Sequence, residues 1–262
     1  MRERDYKAAF AGPADSAGQL RRASPELQHR RAVLFDLDDT LFDHRHSSRH
    51  GLVVLRRWFP ALRQPPLEIV ERAHADILEQ LHQRVVERKL NLDQARLQRF
   101  ARLLREFGGV RDRSAAARAA EMYRAAYLRS RRPVSGAVSV LARLARMKPD
   151  IAIGIVSNNI LAEQVDKLRC CGLDRYIDAM VVSEEAGASK PDPAIFDIAL
   201  KRIRCARERT VMVGDSWAND IVGARRAGIR AIWFNWRRRP IPQRCPDVAE
   251  IRALAELPEL LF

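Results

Sequence analysis

Three carboxylates fall within four residues at Asp36, Asp38 and Asp39, directly after the apolar run Val33-Leu34-Phe35. The run reads as a buried strand. A carboxylate at the end of such a strand is costly in a dry core unless a cation or hydrogen bonds compensate. The tip must therefore open on a polar site. Asp36 is placed to act as a covalent nucleophile and Asp38, two residues on, to carry a proton. Further along, Ser157 and Asn158 follow the apolar run Ile151–Val156. Lys190 lies in Ala188-Ser189-Lys190-Pro191-Asp192-Pro193, and Gly214-Asp215-Ser216 follows Thr210–Val213, with Asp220 after it. Ser157 and Lys190 offer donors to phosphate oxygens, and Lys190 brings positive charge where a transferred group is most negative. Converging carboxylates repel one another and call for a cation. Oxygen-only ligands favour a hard ion such as Mg²⁺. Together these residues suit phosphoryl transfer.

Each of these groups follows an apolar strand, so a sheet must position them. From Val134 the chain alternates helices (138–147, 161–170, 194–202, 221–227) with strands (151–156, 179–182, 210–213, 230–234). Apolar strands separated by helices predict an α/β fold, a doubly wound, Rossmann-like parallel sheet covered on both faces. In such sheets ligands bind beyond the carboxyl ends of the strands. Between His46 and Arg132 the period is helical instead. Leu52, Leu55 and Phe59 suit one helix, and Ile69, Ala73, Ile77, Leu81 and Val85 a second. Asn91 with Gln94 resembles a capping box opening a third, which stops at Gly108-Gly109, and a fourth runs from Ser114 to Arg129. The predicted organisation is a leader over 1–30, a core from 31–42 and 134–262, and an inserted four-helix bundle over 43–133.

The 262 residues are 47% hydrophobic, enough for a substantial core. No apolar run is long enough to span a bilayer. Met1 to Arg30 has no secretory apolar segment, and its breaker cluster Gly12-Pro13 to Gly18 predicts a loosely attached leader. An arginine-rich transit peptide is the alternative, against which stand Glu3, Asp5, Asp15 and Glu26. Cys170, Cys171, Cys205 and Cys245 show no metal-ligand spacing. They suit a reducing, cytoplasmic compartment. Of the net charge of +14, residues 43–133 carry +10, with 20 basic and 10 acidic residues. That surplus is either an attraction for an anionic partner or an arginine-rich solvated face.

The motifs Asp36-Leu37-Asp38-Asp39-Thr40, Ser157, Lys190-Pro191 and Gly214-Asp215-Ser216-Trp217-Ala218-Asn219-Asp220 occur in order. Together they resemble the four motifs of the haloacid dehalogenase-like hydrolase superfamily over residues 31–240. The resemblance implies that Asp36 is the nucleophile and a metal ligand. Asp38 would be the general acid and base, and would give its backbone carbonyl to the metal. Thr40 would hold the loop and position the nucleophile. Ser157, with backbone amides at Asn158, would bind phosphate. Lys190 would hold nucleophile and phosphate, Asp215 would bind Mg²⁺, and Asp220 would complete the acidic cluster. The helical insertion is similar to the family's small cap, which opens for substrate and closes to exclude water. An acid at Asp38 points to phosphate esters rather than organohalides, since a departing halide needs no proton. Phe42-Asp43-His44, Gln98-Arg99-Phe100, Val182-Ser183-Glu184-Glu185 and Ala231-Ile232-Trp233-Phe234-Asn235 look like the branch with pyrimidine nucleotidases and sugar-phosphate phosphatases. The implied substrate is a small phosphate monoester such as a nucleoside 5′-monophosphate. A sugar-phosphate phosphatase, a phosphomutase and a non-catalytic anion- or partner-binding module are the alternatives.

Arg99 is chosen from Arg96, Arg99 and Arg102 for substrate contact. Asp39 is expected to brace its loop. His44, His46 and His50 lack a neighbouring ligand set and suit a solvated surface. Trp233, Phe234 and Trp236 are expected to pack at the sheet's end. Arg237-Arg238-Arg239 beside Pro240 reads as an exposed loop, and no basic-aromatic motif accompanies it, so no nucleic-acid partner is expected.

Overall fold

The computed structural model describes residues 30–87, 89–108, 112–241 and 245–261. The leader expected over 1–30 lies outside them but for Arg30. The chain forms two compact units. One runs up to Phe42 and resumes at Pro133, and the other is Asp43–Arg132.

The first unit opens with β1 (Arg31–Phe35), buried after its first residue. The second unit then supplies α1 (His44–Trp58), the single turn α2 (Pro60–Arg63), α3 (Leu67–Val86), α4 (Leu92–Glu106) and α5 (Arg113–Arg129). The start of α4 is fixed by a reciprocal cap, in which the Gln94 N–H donates to Asn91 Oδ1 (2.9 Å) and the Asn91 N–H to Gln94 Oε1 (3.3 Å). The buried stripe of α3 is Val70, Ala73, Ile77 and Leu81, whereas Ile69 is exposed. Uniform four-residue steps from Ile69 drift around a helix of 3.6 residues per turn, and mixing steps of three and four keeps one face inward. The unit's own core gathers Leu52, Leu55, Phe100, Leu103 and Tyr123. Gly51 allows the closest approach there, because a Cβ would sit 2.6 Å from the Tyr123 ring.

The chain re-enters the first unit through α6 (Ala137–Ala145), β2 (Ile151–Ser157), α7 (Leu161–Cys170), β3 (Ala179–Val182), α8 (Ser183–Ala186), α9 (Pro193–Ile203) and β4 (Thr210–Gly214). A π-helical turn (Trp217–Ile221), α10 (Val222–Arg226), β5 (Arg230–Phe234), β6 (Ala249–Ile251) and α11 (Leu257–Leu260) complete it. The expected helix at 221–227 thus begins as a wider turn, started by Ser216 Oγ, which accepts the Asn219 N–H. β6 has only three residues, too few to show a period in sequence.

The sheet order is β3-β2-β1-β4-β5-β6, with every neighbouring pair parallel. The near-continuous apolar runs follow from helices covering both faces. The chain steps outward from β1 to β2 and β3, then restarts at β4 and steps the other way. The switch point therefore lies between β1 and β4, and the crevice beyond their carboxyl ends is where such sheets bind ligands. Asp36 and Asp215 leave the sheet there. No described helix is long and apolar enough to cross a membrane.

Beneath the crevice, Leu34 pairs with Gly154 across β1 and β2. A Cβ at Gly154 would lie 2.7 Å from Leu34 Cδ2 and 3.0 Å from Ile203 Cδ1. Gly154→Val should cost about 1–3 kcal/mol by overpacking. A lowered urea midpoint by tryptophan fluorescence is the expected result, and an unchanged midpoint would contradict this packing.

Candidate active site

Lys190 organises the crevice. Its ammonium is buried and donates to Asp36 Oδ1 (2.7 Å), Asp220 Oδ1 (2.7 Å) and the Val156 carbonyl (2.8 Å). All three of its protons are used. Burial works against its charge, but Asp220 and Asp36 outweigh that, and its pKa moves up. The loop carrying it is held by Asn158, whose amide donates to the Lys190 carbonyl (2.8 Å) and accepts the Lys190 N–H (2.7 Å). The Asn158 side chain is thereby committed to this loop.

Asp36 is fixed at both oxygens. Oδ1 takes the Lys190 bond and Oδ2 accepts from the Thr40 hydroxyl (3.1 Å). Thr40 Oγ1 in turn accepts the Asp215 N–H (3.1 Å), tying the loop after β1 to that after β4. The Asp215 carbonyl accepts from Trp233 Nε1 (3.0 Å). Asp220 is wholly buried, its second oxygen accepting the Ser216 N–H (2.9 Å). Gly214 makes room for it, since a Cβ there would meet the Asp220 Cβ at 2.6 Å.

Carboxylate oxygens of Asp36, Asp215 and Asp220 lie within 4.8 Å of one another, the one group of this kind among the described residues. The three histidines of α1 do not form another: His44 Nδ1 pairs with the Tyr127 hydroxyl (2.9 Å). Burial pushes Asp36 up to about 7, which Lys190 opposes and Asp220 reinforces. Burial likewise pushes Asp215 up to about 8, reinforced by Asp36 and Asp220 and opposed by Arg237.

Asp38 points to the β2 side. Both its oxygens receive Lys167 Nζ (2.7 and 2.8 Å), and Oδ2 also receives Gln164 Nε2 (3.1 Å) and Asn159 Nδ2 (3.3 Å). Gln164 Nε2 also donates to the buried Ser157 hydroxyl. Asp39 takes the other direction, paired with Arg237 (2.5 Å), which also lies 3.5 Å from Asp215 Oδ2. The sequence thus brings Asp36, Asp38, Thr40, Ser157, Asn158, Lys190, Asp215 and Asp220 to one strand-end crevice. Arg99 belongs to the helical unit, where it lies over the Phe100 and Tyr123 rings (5.3 and 5.5 Å). Sequence reasoning missed Lys167, Gln164 and Asn159, and the exposed-loop reading of Arg237 is corrected: its side chain is 22% exposed and turned onto the two aspartates. The available signal was a polar pair, Gln164 and Lys167, three residues apart on the helix after Ser157.

Residues 30–228 match the haloacid dehalogenase-like hydrolase family. The chain belongs to this family. Among its haloacid dehalogenase-like relatives is pyrimidine 5′-nucleotidase YjjG of Escherichia coli K12, 38% identical over 130 residues. That likeness spans 49% of this chain and 56% of YjjG. The glyceraldehyde 3-phosphate phosphatase of Methanothermobacter thermautotrophicus is 29% identical over 236 residues, 88% of this chain and 99% of that protein. The magnesium-bound crystal structure of the HAD-hydrolase YfnB of Bacillus subtilis superposes with a TM-score of 0.68 at 28% identity, covering 89% of this chain and 99% of that one. The chain is therefore an enzyme, a haloacid dehalogenase-like hydrolase.

Because Asp215 is pushed up to about 8 in the folded state against an ordinary 3.9 unfolded, its ionisation opposes folding as pH rises through that window. With a chelator present, Asp215→Asn should therefore gain stability relative to the wild type between pH 5 and pH 8, on the order of 4 kcal/mol. Urea titrations at the two pH values measure it. A constant difference would contradict the burial assigned to Asp215.

Proposed function

We propose that the protein is a Mg²⁺-dependent phosphate monoester hydrolase working through an aspartyl-phosphate on Asp36. The observation that carries this is one carboxylate, Asp36, oriented at both oxygens by Lys190 and Thr40, with a second, Asp38, two residues on. An Asp36 oxygen attacks phosphorus and the bond to the leaving oxygen breaks. The Asp38 carboxyl gives its proton to that oxygen. Asp38, now an anion, then takes a proton from water, and the hydroxide attacks phosphorus and frees Asp36. Ser157, the backbone amide at Asn158 and Lys190 hold the phosphoryl oxygens, and Arg99 contacts the rest of the substrate.

The donor set fits Mg²⁺. It is all oxygen, which suits a hard ion, and burial pushes Asp36 and Asp215 up to about 7 and 8 although Lys190 and Arg237 oppose the rise. Asp36, Asp215 and the Asp38 backbone carbonyl would hold the ion. Asp220, with both oxygens already bonded to protein, would support it from behind. When bound, the ion neutralises the carboxylates and draws charge from the phosphoryl oxygens.

For the leaving group we propose a small metabolite, with nucleoside 5′-monophosphates first. The likeness to YjjG supports this, and the likeness to a triose-phosphate phosphatase keeps sugar phosphates as the comparison class. The proposed compartment is the cytoplasm, in keeping with four free cysteines.

With Mg²⁺ the purified protein should hydrolyse p-nitrophenyl phosphate, and a panel of nucleotides and sugar phosphates should rank its substrates. Asp36→Asn should lower turnover by roughly 10³-fold or more with an unchanged circular dichroism spectrum. An active Asp36→Asn protein would overturn the nucleophile, and full activity in EDTA would overturn the metal. Because the ion displaces protons from Asp36 and Asp215, its affinity should rise from pH 6 to pH 8; calorimetry showing equal affinity at both would contradict this.

A further inference from the structure

We propose that Lys167 and Gln164, one turn apart on α7, are positioning residues that set the Asp38 carboxylate and the Ser157 hydroxyl for reaction. This rests on the roles proposed above for Asp38 and Ser157.

Lys167 is 6% exposed and Gln164 wholly buried. Lys167 Nζ meets both Asp38 oxygens, at 2.7 and 2.8 Å, so the carboxylate can neither rotate nor swing without losing a charged bond. The Phe42 ring lies 5.5 Å from the same ammonium, closing its apolar side. Burying a lysine costs desolvation and rotamer entropy, and a well-packed apolar pair would serve stability as well or better. A fixed carboxylate position is what the ion pair adds. On the far side of Asp38, Asn159 Nδ2 at 3.3 Å completes the frame.

Gln164 acts through the direction of its hydrogen bonds. Its Nε2 can only donate, giving one hydrogen to Asp38 Oδ2 and the other to Ser157 Oγ. The opposite amide orientation would press Oε1 against the Asp38 carboxylate. This orientation is kept although it leaves Oε1 buried without a hydrogen-bond partner. Since Ser157 Oγ accepts from Gln164, its own hydrogen must point elsewhere. That leaves Ser157 with a hydrogen to donate, the polarity a phosphate oxygen requires. One helix face thus aligns the proton carrier with a phosphate-binding hydroxyl.

The test follows p-nitrophenyl phosphate turnover in the full chain with Mg²⁺. p-Nitrophenolate leaves without a proton, so the step that calls on Asp38 is taking a proton from the water that hydrolyses the aspartyl-phosphate, which a fixed, ionised carboxylate serves. Lys167→Met should lower kcat at least tenfold while keeping a rapid p-nitrophenolate burst. Lys167→Arg, which keeps the charge and a bidentate geometry, should restore most of the loss. Gln164→Leu should raise KM several-fold. Asp38→Asn is the control. If it loses turnover after the burst and Lys167→Met does not, this proposal fails alone. If Asp38→Asn turns over normally, the proton-carrier role of Asp38 fails. Should Lys167→Met not fold, the proposal stands or falls on Gln164→Leu: an unchanged KM overturns it.

Discussion

A single buried ammonium holds the site together. Lys190 is charged in a crevice where a charge is costly, and only three simultaneous acceptors make it tolerable. They come from the loop after β1, the main chain of β2 and the turn after β4. Removing any acceptor would leave a buried cation undercompensated, which costs more than the pair itself contributes. The three elements are therefore locked in mutual register by electrostatics as well as by the sheet. Asn158 extends the lock, since its amide grips the Lys190 backbone as one strand grips another.

The charge balance of the crevice is deliberately incomplete on the acidic side. Lys190 is shared between Asp36 and Asp220, and Arg237 between Asp39 and Asp215. Burial and mutual repulsion still raise Asp36 and Asp215 far above the ordinary carboxylate range. This surplus of buried carboxylates is what the Mg²⁺ proposed for the site would offset. Apolar walls such as Trp233 and Ile221 sharpen the effect by keeping the local dielectric low.

The chain of strands and the residues at their tips were legible in sequence because both are local. An apolar run followed by a carboxylate states its own orientation, and four such tips in order imply a shared edge. What was not legible depends on distance along the chain. Lys167 meets Asp38 across 129 residues and Arg237 meets Asp39 across 198. A lysine on an amphipathic helix and an arginine in a basic loop look like solvated charges until the fold supplies a partner. β6 was invisible because three residues carry no period. Ile69 was misplaced because a regular four-residue spacing imitates a helix face while slowly leaving it.

Asp38 and Asp39 show how neighbouring, like residues acquire different surroundings. Left alone they would repel and share one environment. The Asp39 backbone turns to φ 63°, a left-handed conformation that aspartate tolerates better than most residues. That turn sends its side chain towards the loop after β5, where Arg237 takes it. Asp38 goes the opposite way, to Lys167 on the helix after β2. Because β2 and β5 lie on opposite sides of β1 in the sheet, two cations from the two wings of the fold separate the pair. Asp36 stays between them at the switch point. The acidic motif is read differently at each position because the doubly wound topology offers a different cation on each side.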